Sequence, residues 1–213
     1  MKKYLAIFIS LIFLIPLLLA LFIKEIPNNG QPSLEGTQII YKDVKTQQSF
    51  KSEMSNLSGI GMSIKNPYFR NKKDLVFKLL TEEKQIIRTV TVNGANIPDG
   101  DFIRINFEKI PDSKNKQYVL SLDSPNTESN ESLEVFLTSQ KVPWLDDFYV
   151  NSQKQPYKFS MNTYHKSSNI FTNATEIFSQ MLKRLFADLP FALLYLGLIG
   201  ALSSYFLYLH KKN

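Results

Sequence analysis

The chain has 213 residues, 25 of them basic and 19 acidic, a net charge of +6 and no cysteine. Disulfides, thiol nucleophiles and thiolate metal sites are therefore excluded. Four of the basic residues are the terminal pairs Lys2 with Lys3 and Lys211 with Lys212, leaving 21 against the 19 acids in segment 24–188; with no basic stripe or stacking platform there, no nucleic acid partner is expected.

After a short cytoplasmic N-terminus, 1-3, the uncharged run 4-23 has the length a helix needs to cross a hydrocarbon core of roughly 30 Å. It exceeds the roughly 7–15 apolar residues of a cleavable signal peptide and exits through "LALFIKEIPNN" without an A-x-A-like site. An uncleaved transmembrane helix is the expectation. The linker 24-36 follows, its polar part "NNGQPSLEG".

From 37 to 168 the apolar residues repeat with period two, as in Ile60, Met62, Ile64; Leu75, Phe77, Leu79; Ile103, Ile105, Phe107; Tyr118, Leu120, Leu122; and Leu133, Val135, Leu137. Further strands are predicted around Gln38 to Val44, Gln48 to Glu53, Ile86 to Val92 and Tyr157 to Met161, eight or nine in all. Turn-rich stretches such as "KNPYFRNKKD" and "VNGANIPDGD" separate them, and no amphipathic helix intervenes. The pattern predicts an extracytoplasmic antiparallel sandwich or barrel, 37-168. In "IPDSKNKQYVLSL", Pro111 presets a turn and the Asp112 and Ser113 side chains are suited to accept backbone N–H bonds just downstream, so a plain turn is preferred to a reactive loop.

The period then changes. A juxtamembrane amphipathic helix is predicted over 173-188, with Asn173 and Glu176 as its capping box. It either runs straight into the next span or lies in the headgroup layer with Lys183 and Arg184 near lipid phosphate. The second transmembrane helix is 189-209, capped by Asp188 and with Pro190 in its tolerant first turn, and 210-213 is the cytoplasmic C-terminus. The lysine pairs at both chain ends predict a two-span hairpin with both termini inside. Gly197 with Ala201 and Gly200 with Ser204 form small-x-x-x-small pairs, candidate helix-packing residues for the first span or for a polytopic membrane partner.

Chemistry-bearing patterns are few. His210 belongs to the C-terminal flank and His165 stands alone, read as a surface residue. No triad, zinc or phosphate-loop motif is found, "PDGD" with Asp99 and Asp101 reads as a turn rather than a calcium cage, and no catalytic residue, metal or cofactor is assigned. The cluster in "VPWLDDFYVNSQKQPYKF" supplies candidate glycan-binding residues, Trp144, Asp146, Asp147, Tyr149 and Tyr157, because sugar rings are held by aromatic planes with polar groups at the rim. The competing reading is a loop pinned to the sandwich by its aromatics.

Gln48 and Phe50 ahead of Asn56, Leu57 and Ile60, then Phe107 before Asp112 and Ser113, Tyr118 opening the next strand, and Ser124 with Pro125 form an ordered set. Over most of residues 47–165 it resembles a jelly-roll module of bacterial envelope membrane proteins. The resemblance implies a jelly-roll-like β-sandwich akin to carbohydrate-binding modules, frequently accompanying membrane proteins that handle envelope glycans, and it carries no catalytic residues. The expected protein is a non-catalytic membrane-anchored accessory that binds an envelope glycan or docks on a glycan-handling partner; the alternative is a protein-only scaffold. Its implied partners are the bilayer, a glycan and a membrane protein.

Overall fold

The computed structural model describes residues 2–23, 25–28, 32–167 and 169–212. The side chains of the predicted cytoplasmic ends, 1–3 and 210–213, and linker residues 24 and 29–31 lie outside the described residues. The chain divides into two units, one of Met1–Ile26 with Ser167–Asn213 and the other of Pro27–Lys166.

The first unit is helical. α1 (Lys2–Phe22) and α3 (Leu189–Lys212) are long and apolar enough to cross a membrane. Between them in sequence, α2 (Ile170–Ala187) is capped by Asn169, whose side chain accepts from Thr172 N–H at 2.8 Å. The predicted cap, Asn173, is instead inside the helix and 2% exposed. Its Nδ2 donates to the carbonyls of Ala20, at 2.8 Å, and of Ile23. It therefore serves carbonyls that the end of α1 leaves without intrahelical partners. Phe178 stacks on Phe13 with centroids 5.4 Å apart. The straight run from α2 into the second span is interrupted at Asp188 (φ −129°, ψ 94°), whose carboxylate accepts from Phe191 N–H at 3.1 Å.

A short strand, β1 (Glu25–Pro27), marks the boundary. The second unit holds β2 (Gly36–Ile40), β3 (Thr46–Lys51), β4 (Leu57–Lys65), β5 (Asp74–Thr81), β6 (Ile86–Asn93), β7 (Asp101–Ile110), β8 (Gln117–Asp123), β9 (Leu133–Thr138), β10 (Leu145–Val150), β11 (Gln153–Gln155), β12 (Lys158–Phe159) and β13 (Met161–Lys166). One sheet runs β13-β4-β9-β12, with β7 also on β4 and β2 also on β9; the other runs β11-β10-β3-β8-β5-β6. Their pairings are antiparallel, as the uninterrupted series of strands predicts. The unit is thus a mainly β, sandwich-like fold.

Inward positions of the two sheets make the core: Phe50, Ile60, Ile64, Leu122, Phe148 and Phe159 are each at most 2% exposed. Phe148 and Phe159, one from each sheet, meet with ring centroids 4.6 Å apart, a pairing worth about 0.5–1.5 kcal/mol beyond its area. Gln48 ties the sheets by hydrogen bonds: fully buried, it accepts from Phe159 N–H at 3.0 Å and donates to Asp146 O at 3.2 Å.

Two predicted features change. The β10–β11 hairpin replaces the expected aromatic loop; Val150 pairs with Gln153 across a two-residue turn in which Asn151 (φ 47°) and Ser152 (φ 67°) are both left-handed, as a hairpin of primed type requires. His165, read as a surface residue, is 2% exposed on β13, with Nε2 3.1 Å from Thr163 Oγ1 and Nδ1 3.2 Å from Ser55 O. Burial opposes its protonation and lowers its pKa to about 4.

Candidate functional site

The aromatic cluster read from the sequence is dispersed by the sandwich. Trp144 is 1% exposed and packs edge-on to Phe50 at 6.5 Å, so its indole is core and offers no plane to a ligand. Asp147, Tyr149 and Lys154 do meet: Lys154 Nζ lies 2.6 Å from Asp147 Oδ1, and Tyr149 OH donates to Oδ2 at 3.2 Å. The Lys154 ammonium holds the Asp147 carboxyl below the usual carboxylate range. Tyr157 is 45% exposed just ahead of β12.

Asp146 turns elsewhere, accepting from Gln117 Nε2 at 2.9 Å. Gln117 opens β8 and lines a cleft of about 610 Å³ at one end of the sandwich. Thr81, Glu82 and Glu83 of the β5–β6 turn form one wall, Asn115, Lys116 and Gln117 another, with Ile87, Ile110 and Tyr118 supplying apolar surface. The volume falls within the roughly 300–1,000 Å³ typical of small-molecule sites, and the mixture of apolar surface with a few polar groups is the composition such sites share.

Local structure explains the cleft's shape. The turn after β7 is pinned by Ser113, fully buried, whose hydroxyl accepts from Leu57 N–H at 3.0 Å and donates to Met54 O at 2.9 Å. The hydroxyl thus reaches β4 instead of the expected downstream backbone, while Lys116 N–H closes the turn on Ser113 O at 3.1 Å. Asn115 takes a left-handed conformation, φ 64°, that asparagine tolerates better than most residues. The stretch is therefore a structural turn that also forms one cleft wall.

The electrostatics favour hydrogen bonding over proton transfer. Bonds from the Thr81 hydroxyl and its own backbone N–H hold the Glu83 carboxyl below the usual range, leaving an acceptor rather than an acid. Burial, and then the charge of Asp112, raise the Tyr118 phenol, so it stays a neutral O–H. Tyr118 is 3% exposed, and beside it Gln117 Oε1 is buried with no hydrogen-bond partner. Buried polar atoms of this kind usually find partners. No group of three or more His, Cys, Asp or Glu suited to a metal ion occurs among the described residues.

Sequence reasoning missed Glu83, Gln117 and Tyr118 because a cleft joins segments distant in the chain. The sequence signals near it were the turn around Ser113 and the place of Tyr118 in the ordered set, neither of which pointed to a ligand.

Comparison with solved structures finds similarity to the Clostridium difficile surface-layer-associated cysteine protease Cwp84 (after propeptide cleavage: 8% identity, 68% of this chain, 41% of that chain, TM-score 0.48). A structure of its cysteine protease and lectin-like domains matches at 9% identity over 68% of this chain and 36% of that one, TM-score 0.46. TmCBM61 in complex with β-1,4-galactotriose matches at 9% identity over 60% of this chain and 81% of that one, TM-score 0.30. This chain thus spans less than half the length of the two protease chains. No family model and no curated protein matches the sequence.

Proposed function

We propose that this chain is a non-catalytic accessory protein of a bacterial cytoplasmic membrane, anchored by α1 and α3, whose β unit lies outside and binds an envelope glycan. The observation that carries the reading is the end cleft, where apolar surface from Ile87 and Ile110 sits among Glu83, Asn115, Tyr118 and Gln117, whose Oε1 is buried without a hydrogen-bond partner. A pyranose offers that combination in reverse, an apolar face with a rim of hydroxyls. Asp146 contributes from behind by positioning Gln117. The lysine pairs at both chain ends support the orientation.

The test uses the full chain in detergent micelles on an array of bacterial glycans, with Tyr118→Phe, which keeps the ring in the core and removes only the hydroxyl. Binding weakened about three- to tenfold, the worth of one hydrogen bond, with unchanged folding is the expected result. Absence of glycan binding in the wild type overturns the reading.

One observation favours a second reading, the protein-only scaffold. On α3, Tyr195 and Ile199 are buried in a cluster with Leu11 of α1 and Gly200 faces Tyr4 of α1, whereas Gly197 has open space beside it and Gly197, Ala201 and Ser204 are exposed. Such a face suits a second helix packed closely in lipid. Gly197→Leu is then expected to abolish co-purification of a specific membrane protein; an unchanged partner set counts against the scaffold.

A further inference from the structure

The loop between β4 and β5 lies at the end of the sandwich opposite the cleft, since β5 runs from this loop at Asp74 to the cleft wall at Thr81. Its sequence is "NPYFRNKK", residues 66–73. Tyr68 (φ 57°) and Phe69 (φ 52°) are consecutive left-handed residues. Bulky side chains avoid that region, and a residue persists there only when its surroundings over-determine it.

The surroundings are two asparagines with no exposed surface. Asn66 Nδ2 donates to Asn71 O (3.0 Å), Gly94 O (2.9 Å) and Ile97 O (3.3 Å), and Asn66 Oδ1 accepts from Asn71 N–H at 3.0 Å. Asn71 Nδ2 donates to Thr127 Oγ1 at 2.9 Å and Glu131 O at 2.8 Å. What this frame holds up is apolar: Tyr68 is 81% exposed and Phe69 55%. A buried frame thus holds two large aromatics at the surface.

The rest of the loop is cationic. Arg70, Lys72 and Lys73 are all exposed, no acid lies between 66 and 73, and the Arg70 guanidinium sits 4.8 Å over the Tyr68 ring. Aromatic rings with one polar end favour the headgroup layer of a bilayer, and adjacent Lys and Arg are attracted to its anionic phosphates. The same chain carries two helices apolar enough to enter a bilayer.

We infer that the 66–73 loop is a docking tip for an anionic bilayer surface, with Tyr68 and Phe69 entering the headgroup layer and Arg70, Lys72 and Lys73 meeting lipid phosphate. The frame of Asn66 and Asn71 presets the tip, so little ordering is needed on contact.

The experiment places the full chain in phosphatidylcholine nanodiscs, adds vesicles of phosphatidylcholine with or without phosphatidylglycerol, and measures co-sedimentation. Binding to the anionic vesicles alone, weakening as salt rises, is expected. Arg70→Gln/Lys72→Gln/Lys73→Gln should reduce it about a hundredfold, from the attraction of three basic residues to such a surface. Tyr68→Gly/Phe69→Gly should also reduce it while raising the unfolding midpoint, because glycine accepts both left-handed positions without strain. That opposite movement separates docking from misfolding. The inference is overturned if the wild type ignores the anionic vesicles, binds zwitterionic ones equally, or keeps its binding in both variants. Retention by a soluble anionic polysaccharide with no vesicle binding also overturns it and assigns the tip to a glycan.

Discussion

His165 shows how a single residue's surroundings become a property of the whole fold. Enclosed on β13 and bonded by neutral partners, it is held with a pKa of about 4, against 6.5 for the ordinary side chain. Between those values the unfolded chain binds the proton and the folded one does not. Stability is therefore full above about pH 6.5, falls as the pH drops towards 4, and levels off below. The difference amounts to about 3 kcal/mol. Denaturant titrations at pH 7 and pH 4, followed by fluorescence of Trp144, the sole tryptophan and a buried one, should show that loss in the wild type and a much smaller one in His165→Gln. Equal losses in the two proteins would remove His165 as the cause. The isolation of this histidine in sequence was legible; its burial was not, because β13 pairs with β4, far earlier in the chain, where Leu57 is the partner of His165.

At the scale of elements, strands with regular alternation were legible and the irregular one was not. β10 is bulged: its register against β3 shifts between Leu145 and Phe148, so the two inward residues stand three apart and the period-two signal disappears. The hairpin's Asn-Ser turn lacks the glycine that usually announces a primed turn. Glycine matters more in the β6–β7 connection, where Gly94 is buried against the docking loop's frame. A Cβ at Gly94 would stand 2.8 Å from Asn71 O and 3.0 Å from Asn71 C, backbone atoms that cannot swing aside. Gly94→Ala should cost about 1–3 kcal/mol, the usual range for overpacking, and hydrogen exchange should rise across 66–73. An unperturbed loop in that variant would show that Asn66 and Asn71 hold it without Gly94.

For the whole molecule, α2 is the instructive element. Its amphipathic period was plain, but its start and end were set by contacts: Asn169 caps it, Asn173 is drawn to the end of α1, and Asp188 ends it while capping α3. In the β unit, the residues carrying the family resemblance prove to be joints. Gln48 links the sheets, Ser113 links the β7–β8 turn to β4, and the Ser124 hydroxyl donates to Asp74 O at 3.0 Å. Their spacing in sequence marks a way of closing a sandwich, which is why it pointed to fold more than to ligand.

Composition and periodicity alone determined that the chain has two long apolar helices and a β unit between them, because length, hydrophobicity and alternation are local properties. Which polar groups face a common space was decided only in three dimensions. The cleft gathers Glu83, Ile110 and Gln117 from three segments, the core withdraws Trp144 from the surface, and two buried asparagines hold Tyr68 and Phe69 out of it. Burial and strain are sums over long-range contacts, and such sums leave no periodic trace in the order of residues.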